Sequence, residues 1–183
     1  MDTGILLYGP PASGKDTVTA ALTALDASYA PFARLKIGTG RTHGYRMGTR
    51  DQLAELEERG EVIYRNDRYD STYVVDQPGL DMAMDGGQVP IVHLGQVEGV
   101  QRVADGYAAR WWRVLLWCPR DVTALRSVGR GDADTPARLA AWDATERDLD
   151  LHPGVTWDLT IHTDRVQVQD AAAEIHALVW ARS

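Results

Sequence analysis

The stretch Gly9-Pro10-Pro11-Ala12-Ser13-Gly14-Lys15-Asp16-Thr17 limits what this chain can be more than any other, because of what flanks it. The apolar run Gly4 to Tyr8 delivers it, and Val18-Thr19-Ala20-Ala21-Leu22 leaves it with helical character. Strand, glycine loop and helix in that order make a cradle for phosphate. Glycines let successive N–H groups turn inward, and the partial positive end of the helix faces the anion. Gly9, Gly14 and Lys15 meet the spacing G-x-x-x-x-G-K, with Lys15 exposed in the loop and placed to reach the terminal phosphates of a nucleoside triphosphate. Asp16 stands where a Ser or Thr normally holds Mg²⁺. A carboxylate is a good oxygen ligand for that ion, directly or through water, so Asp16 is the candidate metal-side residue. Thr17 can donate to an inner phosphate. Gly9, Pro10, Ala12, Ser13, Gly14, Lys15, Asp16 and Thr17 together form the expected nucleotide site.

Periodicity extends the pattern. Phe32 to Ile37 alternates apolar and polar, as a half-buried strand does, and delivers Gly38-Thr39-Gly40-Arg41-Thr42-His43-Gly44-Tyr45-Arg46, a basic glycine-rich loop and a candidate anion site. Thr49 and Gln52 are spaced as a capping box, opening a helix that stops at Gly60. Residues 61–65 and 72–75 read as paired strands, and 79–85 as a short helix. Val89 to Leu94 and Trp112 to Cys118 are buried strands around a helix from Val97 to about Ala109. Asp121 to Arg126 is a short helix, and Arg126 to Thr135 a mobile loop. A helix beginning at Pro136, a strand at 157–162 and a closing helix at 166–180 follow. Strands alternating with helices predict an α/β protein, with a parallel sheet covered on both faces.

One domain suffices for 183 residues, and no apolar run approaches the roughly 20 residues of a membrane span. The net charge of −7 argues against general nucleic-acid affinity, which needs surplus Lys and Arg on one face. Cys118 is the only cysteine, so no internal disulfide forms and an oxidising compartment is not required. The first strand starts almost at Met1, leaving no room for a targeting peptide, so a cytoplasmic location is expected. A monomer or homodimer is expected.

In its motifs the chain resembles the guanylate kinase family of P-loop nucleoside monophosphate kinases over nearly its whole length. Five places carry the likeness: the loop Gly9 to Thr17; Tyr45 to Leu53 with Gly60-Glu61; Arg68-Tyr69-Asp70-Ser71, in the place of Tyr-Tyr-Gly-Thr; Gln96-Val97-Glu98-Gly99-Val100-Gln101, in the place of Asp-Val-Gln-Gly-Ala-Gln; and Arg126-x-x-x-Arg130-Gly131 with Arg138-Leu139. The resemblance implies a P-loop NTPase three-layer fold with a five-stranded parallel core (residues 1–35 and 89–183), an α/β acceptor-binding insert at about 36–88 and a lid at about 127–137. It implies ATP and Mg²⁺ as cofactors and a small phosphorylated acceptor. Lys15, Arg126 and Arg138 would act on the transferring phosphoryl group, and Arg130 would lie against adenine. Arg41, Tyr64, Tyr69, Ser71 and Gln96 would face the acceptor.

Three departures bear on the acceptor. The glutamate with which the family reads guanine falls near Tyr64, and the acid after the central strand falls near Gln96. Guanine offers two N–H donors that a carboxylate accepts as a pair, and a phenol cannot do this. The basic loop is also shorter than the family's, leaving Arg41 as its one counterpart. GMP is therefore not the expected acceptor. A related enzyme, ribose 1,5-bisphosphate phosphokinase, is similar in carrying Gly-Lys-Asp-Ser, as Gly14-Lys15-Asp16-Thr17 does here. The acceptor is thus expected to be nucleoside monophosphate-like or a sugar phosphate. If it were a hydroxyl, Asp67 or Asp70 would be the nearest base. Three alternatives stay open: a true guanylate kinase reading guanine through Asp67, Asp70 or Glu61; a non-catalytic binding module; and a GTPase switch, which lacks an Asn-Lys-x-Asp sequence here.

Overall fold

The computed structural model describes every residue except Met1, Tyr69, Arg130, Asp132, Ala133, Arg182 and Ser183. In chain order the elements are β1 (Thr3–Tyr8), α1 (Lys15–Leu25), β2 (Tyr29–Pro31), β3 (Arg34–Ile37), β4 (Tyr45–Met47), α2 (Arg50–Glu58), β5 (Val62–Arg68), β6 (Ser71–Asp76) and α3 (Gln77–Asp85). They continue with β7 (Val89–Leu94), α4 (Val97–Gly106), β8 (Arg110–Trp117), α5 (Arg120–Gly129), α6 (Thr135–Leu151), β9 (Leu159–His162) and α7 (Val168–Trp180).

Five strands form an all-parallel sheet in the order β2-β7-β1-β8-β9. Its central strands β1 and β7 and the middle of β8 are mostly apolar and buried because both faces are covered. On β1, Ile5 and Leu7 face α1 and α7, packing with Val18, Leu22, Ile175 and Val179; Leu6 and Tyr8 face the other way, towards Val97, Val100 and Leu115. The expected α/β architecture with a five-stranded parallel core is therefore the one observed. A second sheet, β4-β3-β6-β5, is mixed: β3 runs parallel to β4, while β6 is antiparallel to both of its neighbours. Leu53 and Leu56 of α2 pack on it against Leu35 and Val74. The capping box that opens α2 is complete, with the Thr49 hydroxyl accepting from Gln52 N and Gln52 Oε1 from Thr49 N. Among the described residues no helix is long and apolar enough to cross a membrane.

Two expectations need correction. The strand expected over Phe32 to Ile37 is shorter, beginning at Arg34 as β3 of the second sheet, and it is preceded by an unexpected strand, β2, which ends at Pro31 in the parallel sheet. The turn between them is held by Arg46, whose Nε donates to Ala33 O at 2.8 Å while its guanidinium pairs with buried Asp76. Asp76 also caps α3 through Gly79 N. The charge of Arg46 is thereby spent on the junction of the two sheets and is withdrawn from the anion loop. Second, the first four residues of the expected loop from Arg126 to Thr135 are helical. α5 runs on to Gly129 because Ser127 is buried and its hydroxyl lies 3.2 Å from that of Thr135, zipping α5 to α6.

Candidate active site

Gly14, at φ 91, sits at the N-cap of α1 and no side chain caps the helix. Its first-turn N–H groups are left for whatever occupies the loop, and the helix dipole favours an anion there. A Cβ on Gly9 would come within 2.1 Å of Leu116 O, so only glycine lets the loop cross the end of β8. Ala12, at φ 58, is left-handed, a conformation costing a non-glycine residue about 1–2 kcal/mol. Its carbonyl is held in place by Arg126 Nη1 at 2.9 Å.

Lys15 is not the exposed side chain expected. It is half-buried, and Nζ folds back to donate to Gly9 O at 2.6 Å and Pro10 O at 2.9 Å. Burial pushes its pKa down to about 8, with Asp16 opposing the shift. The ammonium is thus held among carbonyl oxygens at the mouth of the loop, where an anionic ligand would relieve it. Arg138 joins Pro11 to Thr17 in lining the small cavity there, of about 190 Å³. Arg126 does not line that cavity. Its Nη1 also donates to Thr163 Oγ1 at 3.0 Å and its Nη2 to Thr163 O at 2.6 Å, and it borders an apolar cleft of about 260 Å³ with Val18, Val166 and Val168. Arg126 thus supports the loop from behind.

Asp16 is 84% exposed and its carboxylate lies 3.5 Å from His93 Nδ1. No cluster of three or more metal-ligating side chains occurs among the described residues. One exposed carboxylate beside a phosphate loop nevertheless suits Mg²⁺, which keeps several waters and takes only one or two carboxylates plus phosphate oxygens. His93 was not singled out from the sequence. It stands near the C-terminal end of β7, where parallel α/β sheets open their crevices, and that position is the signal that could have found it. Its Nε2 lies 2.8 Å from Thr19 Oγ1, and burial, with Lys15 nearby, pushes its pKa down to about 4, leaving the ring neutral.

Two larger cavities flank this point. One, of about 880 Å³, has Asp16, Arg34, Arg41 and Tyr45 in its wall; the other, of about 580 Å³, has Arg34, Gln96, Arg147 and Asp148. Lys15, Arg34 and His93 line both.

No protein-family model matches the chain, and no curated protein is significantly similar to it in sequence. Among solved structures, a crystal structure of guanylate kinase from Anaplasma phagocytophilum is similar with a TM-score of 0.67 at 16% identity, covering 98% of this chain and 85% of that one. The fold is that of a guanylate kinase.

Within the guanylate kinase fold the remaining expected residues fall unevenly. Arg41 and Gln96 each line one of the two larger cavities; Tyr64 and Ser71 line neither of these two. The Tyr64 ring is buried against Gly99, where a Cβ would come within 2.7 Å of it, and its hydroxyl donates to Gln96 Oε1 at 2.8 Å. Burial raises its pKa to about 12, so it stays a donor. Ser71 is buried beneath the loop, its hydroxyl donating to Thr39 O at 3.4 Å, and a Cβ on Gly38 would come within 2.4 Å of its Oγ. Ser71 therefore supports the loop. Tyr69 and Arg130 lie outside the described residues. Asp148 closes the site from α6: its Oδ2 accepts from Val97 N at 2.7 Å and from the Tyr8 hydroxyl at 2.8 Å, capping α4 in the place where Gln96 supplies no cap.

Proposed function

We propose that this protein is an ATP- and Mg²⁺-dependent kinase that moves the γ-phosphoryl group to a small phosphorylated acceptor, nucleoside monophosphate-like or a sugar phosphate, other than GMP. The observation that carries this reading is Lys15: a half-buried ammonium at the loop mouth, backed by an uncapped helix and bordering the cavities that hold Arg34 and Arg41. Lys15 leaves the Gly9 and Pro10 carbonyls to bind the phosphates, and Arg138 approaches from the start of α6. Asp16 holds Mg²⁺ in this reading, and the ion when bound neutralises charge on the β- and γ-phosphate oxygens. An acceptor phosphate oxygen attacks the γ-phosphorus, the bond from that phosphorus to the bridging oxygen breaks, and ADP departs with the electron pair. The attacking oxygen is already ionised, so no base is required. The α5–α6 junction would act as a lid, excluding water that competes as acceptor.

The walls argue against guanine. Gln96 Oε1 already accepts from the Tyr64 hydroxyl, and an amide does not accept the two N–H donors of guanine as a pair in the way a carboxylate does. Asp67 pairs with Arg65 and Glu61 with Arg59, at residues outside both cavities. Neither favours a guanine-reading or base role. The test is ADP release with ATP and Mg²⁺ across a panel of phosphorylated metabolites that includes GMP. Turnover with a sugar phosphate or another nucleotide well above that with GMP is expected. Turnover with GMP equal to the best of the panel, or none with any acceptor, would overturn the proposal.

A further inference from the structure

Arg34, the first residue of β3, belongs to none of the motifs that carry the family resemblance, yet it stands in the wall common to both large cavities. Its guanidinium carbon lies 5.2 Å from the centre of the Tyr73 ring and 6.0 Å from that of Tyr45, and those rings are themselves 5.4 Å apart. β3 pairs with β4 and β6 so that Arg34 stands beside Tyr45, and Lys36 beside Tyr73. A guanidinium held near aromatic faces by cation–π attraction keeps N–H edges able to fork onto an oxyanion. No ion pair between Arg34 and a carboxylate is formed among the described residues, although the chain as a whole is acidic.

The neighbouring Lys36 has the opposite fate. It is 2% exposed, and Nζ donates to Thr39 O at 2.7 Å and Arg41 O at 2.8 Å. Its charge is consumed in shaping the glycine loop, which sets Arg41 in the wall of the same cavity as Arg34. Arg46 is likewise consumed, by Asp76. Besides Lys15, which belongs to the nucleotide loop, Arg34 and Arg41 are the lysine or arginine side chains among the described residues that line the larger cavity.

We infer that Arg34 is an acceptor-binding residue: with Arg41 it forms a two-guanidinium clamp for an oxyanion of phosphate type on the acceptor. The shortened basic loop supplies only Arg41, and the second guanidinium comes from the strand before it. The inference rests on the kinase reading given above, and its test separates the two.

The loop is first filled with a non-hydrolysable ATP analogue and Mg²⁺, and inorganic phosphate is then titrated as the probe by calorimetry. Wild-type protein binds phosphate; Arg34→Met weakens it by at least about tenfold, the loss expected for a charge-assisted fork; and Arg34→Lys, keeping charge without the fork, falls between them. Affinity for the ATP analogue is the same in all three. Phosphate binding equal in wild type and Arg34→Met, or absent from wild type with the analogue bound, overturns the role of Arg34 and leaves the nucleotide loop standing. Failure of the analogue itself to bind strikes instead at the kinase reading.

Discussion

Replacing Lys15 with Met should make the protein more stable while abolishing nucleotide binding. Its pKa falls from 10.5 to about 8, and at ~1.4 kcal/mol per unit the protonated ammonium destabilises the folded state by up to about 3 kcal/mol. Solvent reaching the half-buried side chain lowers that figure. The substitution also removes donors from the Gly9 and Pro10 carbonyls, at about 0.5–1 kcal/mol each. A net gain of about 1 kcal/mol remains, or a rise of roughly 2–4 °C in Tm for a domain of this size. The pH dependence has a definite sign. The penalty lasts for as long as the unfolded-state amine is protonated, so it is complete below about pH 8, shrinks between pH 8 and 10.5 as the folded-state amine gives up its proton before the unfolded one, and vanishes above that. The difference in Tm between variant and wild type should close over that interval. Thermal unfolding followed by circular dichroism at pH 7 and pH 10 checks this. A Lys15→Met variant that melts below wild type at pH 7, with no convergence at higher pH, would refute the idea that the ammonium is held under strain for its ligand.

Four further outcomes are expected. Arg126→Ala removes the hydrogen bonds that hold Ala12 O and Thr163, and should cost about 2–3 kcal/mol in urea unfolding together with a drop in affinity for ATP. Asp148→Asn takes the charge off the N-terminus of α4 and should cost about 1 kcal/mol, read in the same way. Tyr64→Phe frees Gln96 Oε1 at a cost of about 1 kcal/mol in stability, and calorimetry should find ATP affinity unchanged. His93 is held neutral, with its pKa near 4 against 6.5 when unfolded, so its contribution is complete above pH 6.5 and is lost as pH falls towards 4; His93→Gln should flatten the acid limb of a stability profile.

What could be read from the chain was what is local. The glycine loop, the capping box at Thr49 and the apolar strands β1, β7 and β8 each announce themselves within a few residues. β2 did not, because three residues ending in proline carry no period and the strand exists only by pairing with β7. The continuation of α5 past Arg126 was hidden by Gly129 and Gly131, and it depends on contact with α6. Site residues were legible as types but not as roles. Tyr64 meets Gln96 from 32 positions away, and Arg126 reaches Thr163 from 37, so neither partner could be inferred from spacing. Lys36 and Arg34 look alike in the sequence as members of one alternating strand. Only the fold buries the first under the loop and turns the second to the cavities.

The central claim is that the loop from Gly9 to Thr17 grips a triphosphate through its backbone and Lys15. Titration of the wild-type protein with a non-hydrolysable ATP analogue and Mg²⁺, followed by calorimetry, tests it most directly. The account predicts one site per chain, lost in Lys15→Met. Absence of binding to wild type, or equal binding by the variant, would contradict it.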